Sequence, residues 1–236
     1  MLAASFTFAE DLRALILIGG VAAFVAAGLT LAWLAIMVFL PAPPKGSTSE
    51  EELDFIAGHD GVQIARFLPT TLVAFLYIPT WLGLGALLWD EAPTAAALAM
   101  AFGLLYPATT ATGYWMQYTV IRGFAKSPPD AGMAAATVYE LIGFHERPTS
   151  LSASGVILGY TFWSLGGVAA GIALLSHGGR FAATTGILFL VTAALMFIGV
   201  AGHIARSRIL TMGVFLSGVA SLGATIATAL LLISQV

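Results

Sequence analysis

The sequence predicts an all-α integral membrane protein, a bundle of six transmembrane helices with short interfacial helices in its first and third connections. Three observations carry this. Of 236 residues 59% are hydrophobic, with only nine Lys or Arg and twelve Asp or Glu, whereas a soluble domain carries about 25% charged residues. Six stretches, near 12–40, 67–89, 94–121, 152–176, 181–203 and 209–234, reach the roughly 20 apolar residues a spanning helix needs. None holds an Asp, Glu, Lys or Arg in its interior, so the charges fall in the connections, as the bilayer demands. The chain reads as a single transmembrane domain over 1–236 whose first partner is the lipid bilayer. Disorder is excluded by the hydrophobicity, and nucleic-acid binding by a net charge of -3 without a basic stripe.

Taken in order, Glu10, Asp11 and Arg13 precede an apolar run, 14–40, far longer than the roughly 7–15 residues of a cleaved signal's core, so it reads as a retained first span. The connection 41–66 opens with Pro41, Pro43 and Pro44. It continues Ser-Thr-Ser-Glu-Glu-Glu, in which Ser49 and Glu52 have capping-box spacing ahead of Leu53, Phe55 and Ile56. A short acidic helix near the headgroups is expected there. Spans two and three are joined by the turn Asp90–Pro93 and carry Pro79 and Pro107 near their centres, each predicting a kink. After Pro128 and Pro129, the apolar residues Met133, Val138, Leu141, Ile142 and Phe144 predict one stripe of a second interfacial helix, ended by Gly143 or Pro148. Tight turns at Ser176–Arg180 and His203–Arg208 join the last three spans.

Orientation follows from Lys and Arg. Lys45, Arg66, Arg122, Lys126, Arg147, Arg206 and Arg208 fall in the first, third and fifth connections, and only Arg13 and Arg180 on the opposite side. This predicts a multi-pass protein of the cell's inner (plasma) membrane with those connections in the cytoplasm and both termini outside.

Three groups of residues are candidates for function. Small residues recur every fourth position along the sixth span, at Gly213, Ser217, Ser221, Thr225 and Ala229, and Gly167 and Gly171 form a Gly-xxx-Gly pair in the fourth. Such ridges pack helices within one chain, or dock a second copy or another membrane subunit. Around the prolines, Tyr77, Pro79, Trp81, Tyr106, Pro107, Thr110, Tyr114 and Gln117 make a candidate pocket for a neutral or lightly polar ligand. Paired broken helices mark transporter sites, and a real site would show as a cavity of about 300 Å³ or more. His59, His145 and His203, with Glu140, fall on the predicted cytoplasmic side and offer metal-ligand chemistry, although no fixed ligand spacing joins them.

Other chemistries lack their residues. With no cysteine there is no disulfide, thiolate metal site or iron–sulfur cluster. The only lysines, Lys45 and Lys126, lie in connections, so no span can form a retinal Schiff base. A nucleotide-binding Gly-x-x-x-x-Gly-Lys loop is absent.

The order of parts carries a resemblance. An acidic connection ends His59-Asp60-Gly61, the third span closes with Tyr118-Thr119-Val120-Ile121, and Pro148-Thr149-Ser150-Leu151 leads into a fourth span containing Gly159-Tyr160. In this the chain resembles a family of uncharacterised bacterial six-transmembrane-helix proteins, grouped only as a domain of unknown function. That resemblance implies the six-helix fold, with termini in the cytoplasm, and brings no activity, cofactor or catalytic residue. The expected function is a non-catalytic membrane protein, a structural or accessory subunit of a membrane complex or a self-associating bundle. The alternatives are a carrier or binding protein for a small neutral or lipid-like molecule, and a membrane enzyme with a His/carboxylate metal site.

Overall fold

The computed structural model describes residues 8–127, 132–143 and 150–236. Among them the chain is helical without strands: α1 (Phe8–Phe39), α2 (Ser49–Gly58), α3 (Asp60–Leu88), α4 (Pro93–Met116), a π-helical turn (Gln117–Ile121), α5 (Arg122–Ala125), α6 (Gly132–Ile142), α7 (Leu151–His177), α8 (Arg180–Ile204) and α9 (Arg208–Ile233). Six segments are long and apolar enough to cross a membrane: Glu10–Phe39, Asp60–Leu88, Pro93–Ala125, Leu151–His177, Arg180–Ile204 and Arg208–Ile233. The chain is a multi-pass membrane protein of all-α class. Two spans differ from their predicted limits. The second starts at Asp60 instead of near 67, because Asp60, Gln63 and Arg66, which interrupt the apolar pattern, have work to do on a helix. The third continues through the π turn to Ala125.

Met1–Ala27, Leu76–Tyr106 and Tyr160–Val236 form one compact unit, and Gly28–Phe75 with Pro107–Gly159 form another. In the first, aromatic rings fill the centre. Trp81 stacks on Phe189 with ring centroids 5.5 Å apart and meets Trp163 edge-on at 5.8 Å, while Tyr77 meets Tyr106 at 5.3 Å. Glycines let backbones approach: a Cβ on Gly19 would stand 2.8 Å from the Pro79 carbonyl oxygen, and one on Gly186 2.8 Å from that of Gly171. α7 turns into α8 through Gly178 and Gly179, at φ 85° and 83°, a conformation that glycine adopts without strain. α8 ends in a Schellman arrangement, with Ser207 N–H donating to the Gly202 carbonyl (2.8 Å) and Arg206 N–H to that of His203 (3.2 Å). Arg206 takes the left-handed position there at φ 52°, where glycine is the usual residue.

In the second unit, α2 and α6 pack on the end of the third span through Leu53, Ile56, Ile121, Ala135 and Tyr139. α2 begins with a capping box, one residue earlier than predicted. Thr48 Oγ1 accepts from Glu51 N–H (3.3 Å) and the Glu51 carboxylate accepts from Thr48 N–H (2.8 Å). Glu52 is thereby left to accept the Tyr139 hydroxyl. The predicted stripe of α6 is also corrected. Met133 and Leu141 are exposed, whereas Ala135 and Tyr139 are buried, because small Ala135 admits the neighbouring helix closely and Tyr139 must reach Glu52. Phe144, Pro148, Pro128 and Pro129 lie outside the described residues.

Candidate functional site

The residues proposed around the prolines are mostly buried, and those of the first unit are packed against one another. Tyr77 bonds to Thr225: since Thr225 Oγ1 gives its proton to the Ser221 carbonyl (2.7 Å), the tyrosine is the donor. The Pro79 carbonyl lies against Gly19. The cavity beside them, lined by Tyr77, Thr80, Trp81, Trp163, Phe189 and Thr225 among others, has a volume of about 10 Å³. That is room for about one water, against the about 300 Å³ that a ligand site at Tyr77, Trp81 and Tyr106 requires. The aromatic rings occupy the space that the proline pattern suggested was open.

Pro107, Thr110, Tyr114 and Gln117 belong to the second unit. Thr110 is fully buried with its hydroxyl pressed onto Gly159, where no Cβ fits, and Tyr114 faces Phe67 with centroids 6.2 Å apart. Gln117 is the hub. Its Nε2 lies within bonding distance of the carbonyls of Gly113 (3.2 Å) and Ile142 (3.0 Å) and of Ser152 Oγ (3.0 Å). Ser152 in turn donates to Ile142 (2.6 Å), and Gln63 donates to the Gln117 carbonyl (3.2 Å) in the π turn. Because buried acceptors left without their donor cost about 1–3 kcal/mol, Gln117→Leu, which removes the amide from the Gly113 and Ile142 carbonyls, is expected to lower stability in detergent by that order. Gln117→Glu, which turns a carboxylate onto carbonyl oxygens, lowers it further. Thermal melts of the purified protein check the order, and a Gln117→Leu protein as stable as wild type refutes the hub.

The metal reading is not supported at its proposed residues. Among the described residues no three His, Asp or Glu side chains are grouped closely enough to hold an ion. His59 is exposed, stacks on Phe55 (4.2 Å) and bonds through Nδ1 to the Phe55 carbonyl (3.0 Å). Glu140 accepts from Ser49 Oγ (3.2 Å). His203 lies near the end of α8, in the other unit. His145 is outside the described residues. The charged group that does form is Asp60, which binds Arg122 through both carboxylate oxygens and Lys126 at 3.0 Å.

The glycines among the small-residue positions lie at helix crossings. Gly167 faces Phe189, with a Cβ 3.1 Å from the ring, and Gly171 faces Gly186. Gly213 meets the backbone of Leu195 and Gly199. Ser217 is buried, donating to the Val214 carbonyl (2.7 Å) and lying 3.4 Å from Met196 Sδ. Ser221 is half-buried and donates to the Gly218 carbonyl (2.7 Å).

A larger cavity of about 540 Å³ lies in the second unit, between the Pro43–Ser49 segment, α2, the first turns of α3, and α6. Lys45, Arg66 and Gln63 line it together with Glu52, Tyr139 and Glu140. The Arg66 backbone carbonyl accepts from Trp33 Nε1–H (2.8 Å), yet its buried side-chain Nε has no hydrogen-bond partner. Burial and the adjoining Glu52 carboxylate push the Tyr139 hydroxyl above its usual range, so it stays a donor at every physiological pH. Sequence reasoning counted Arg66 and Lys45 only as topology charges. The available signal was that Arg66 and Gln63 sit one turn apart immediately before an apolar run, as residues lining a helix entrance do.

Compared with protein-family models, curated proteins and solved structures, the chain matches none.

Proposed function

We propose that the chain is a non-catalytic integral membrane protein that serves as a structural or accessory subunit of a membrane complex, or associates with itself. The observation that carries this reading is where the span-borne polar groups go. Tyr77, Gln117 and Ser152 bond to groups on other helices, Trp81 Nε1, Thr110 Oγ1, Tyr118 Oη and Ser164 Oγ are buried without a hydrogen-bond partner, and the cavity lined by Tyr77 and Trp81 measures only about 10 Å³. A bundle consumed in this way offers its outer surface for work. We place both termini outside the cytoplasm on the imbalance of Lys and Arg between connections, and the chain in a bacterial inner membrane on its resemblance to bacterial six-helix membrane proteins.

Native mass spectrometry of protein extracted gently from its own membrane tests the proposal. A reproducible partner protein or a homo-oligomer is expected. A monomer without protein neighbours, or one that carries a stoichiometric metal ion, overturns it.

A further inference from the structure

We infer that the cavity around Arg66 binds a zwitterionic phosphoethanolamine headgroup, its phosphate on Arg66 and Lys45 and its ammonium on Glu52 and Glu140. The inference concerns this site alone and stands whether or not the chain has a protein partner.

Arg66 is the first ground for it. Its Nε is buried and donates to nothing, and among the described residues no carboxylate pairs with its guanidinium. The nearby acid of α3, Asp60, is committed to Arg122 and Lys126. A guanidinium with an unused buried donor calls for an oxyanion, and its planar fork suits phosphate. Lys45 lines the same cavity and adds a second positive charge.

The opposite wall decides between an anion and a zwitterion. Glu52 accepts from Tyr139, Glu140 accepts from Ser49, and both line the cavity. A carboxylate offers about four lone-pair sites, so Glu52, which accepts from Tyr139, keeps others for an ammonium. Two basic and two acidic side chains therefore face one space. A purely anionic head placed there would meet repulsion from the acids, whereas a phosphate joined to an ammonium is matched at both ends.

Size and depth agree with a lipid head. The volume of about 540 Å³ lies within the roughly 300–1,000 Å³ of ligand sites. Arg66 is six residues into α3, the helix of the second span, about 9 Å along its axis, so the cavity opens at the end of that span and not at its centre. Ile56 and Phe67 supply apolar wall beside it.

The test titrates the full-length protein with phosphatidylethanolamine or phosphatidylglycerol and reads bound lipid by native mass spectrometry. Wild type is expected to retain one phosphatidylethanolamine about tenfold more tightly than phosphatidylglycerol, and Arg66→Gln to lose about tenfold of that affinity. Glu140→Gln alters an exposed side chain, so it keeps the test independent of folding, and it is expected to erase the preference between the two lipids. Release of the bound lipid by free phosphoethanolamine supports recognition of the head alone, and retention in its presence supports recognition of the intact lipid. Equal retention of both lipids by wild type, retention of neither, or a preference unchanged in Glu140→Gln overturns the inference. So does unchanged affinity in an Arg66→Gln protein that melts like wild type.

Discussion

Gly213→Ala and Gly199→Ala are each expected to lower the thermal midpoint in detergent by several degrees, while Gly218→Ala on the same helix as Gly213 leaves it unchanged or raises it slightly. At Gly213 an added Cβ would stand 2.5 Å from the Leu195 carbonyl oxygen and 2.7 Å from Gly199 N. At Gly199 it would stand 2.4 Å from Val214 N. These neighbours are backbone, so no rotamer change relieves the overlap and α8 and α9 must move apart. Overpacking costs about 1–3 kcal/mol even where side chains can yield, and without a hydrophobic driving force between helices in lipid, close backbone approach is much of what holds a pair together. Gly218 has nothing within 4 Å of its would-be Cβ, and alanine is the better helix former. Melting curves of the three variants in one detergent check this. Equal midpoints for Gly213→Ala and Gly218→Ala would remove the crossing as a source of stability.

That pair of glycines shows what the sequence could and could not convey. The spans were legible because hydropathy is a local property, and six apolar stretches in a nearly uncharged pattern leave the backbone no choice but helix. Which side of a span meets a helix and which meets lipid was not legible, since both faces are apolar. Gly213 and Gly218 differ only in their neighbours. The start of α3 was missed for a related reason: Asp60 and Gln63 find their partners in Arg122, Lys126 and the Gln117 carbonyl, 54 to 66 residues away, so a stretch that hydropathy assigns to a loop is held as helix by distant groups.

Two smaller displacements have equally local causes. In Ser-Thr-Ser-Glu-Glu-Glu each of Ser47, Thr48 and Ser49 has a glutamate three residues on, so capping-box spacing is satisfied three times. The structure takes the middle pair, Thr48 with Glu51, and gives Glu52 to Tyr139. On α6 the largest apolar residues suggested the buried face, but close helix approach favours small ones, and Ala135 is inside while Met133 is 83% exposed. The cavity at Arg66 could not be read at all. It is made where the stretch from Pro43 to Phe67 folds back on itself and meets Tyr139 and Glu140 of α6, and nothing in their spacing announces a space between them. Conversely, the proline region had every compositional mark of a pocket, and it is filled because tyrosine and tryptophan rings large enough to line a cavity are also large enough to close one.

Trp81 measures how much that closure contributes. Trp81→Ala is expected to cost about 3–5 kcal/mol, as large aromatic truncations do. The ring is 1% exposed and touches Trp163 and Phe189. Trp81→Phe should cost under about 1.5 kcal/mol, because the indole Nε1 is buried without a hydrogen-bond partner and its removal relieves an unmatched polar group. The ring is seated by Gly103, where a Cβ would lie 2.2 Å from Trp81 Cγ, so Gly103→Leu alone should be as damaging as the truncation. The two defects are complementary: the leucine enters the space the indole leaves. Trp81→Ala combined with Gly103→Leu is therefore expected to be more stable than the sum of the single losses predicts, by roughly 1–3 kcal/mol in a double-mutant cycle. Additive losses would mean that Gly103 and Trp81 do not share one packing site. A Trp81→Phe protein as unstable as Trp81→Ala would mean that the indole N–H does something that packing does not explain.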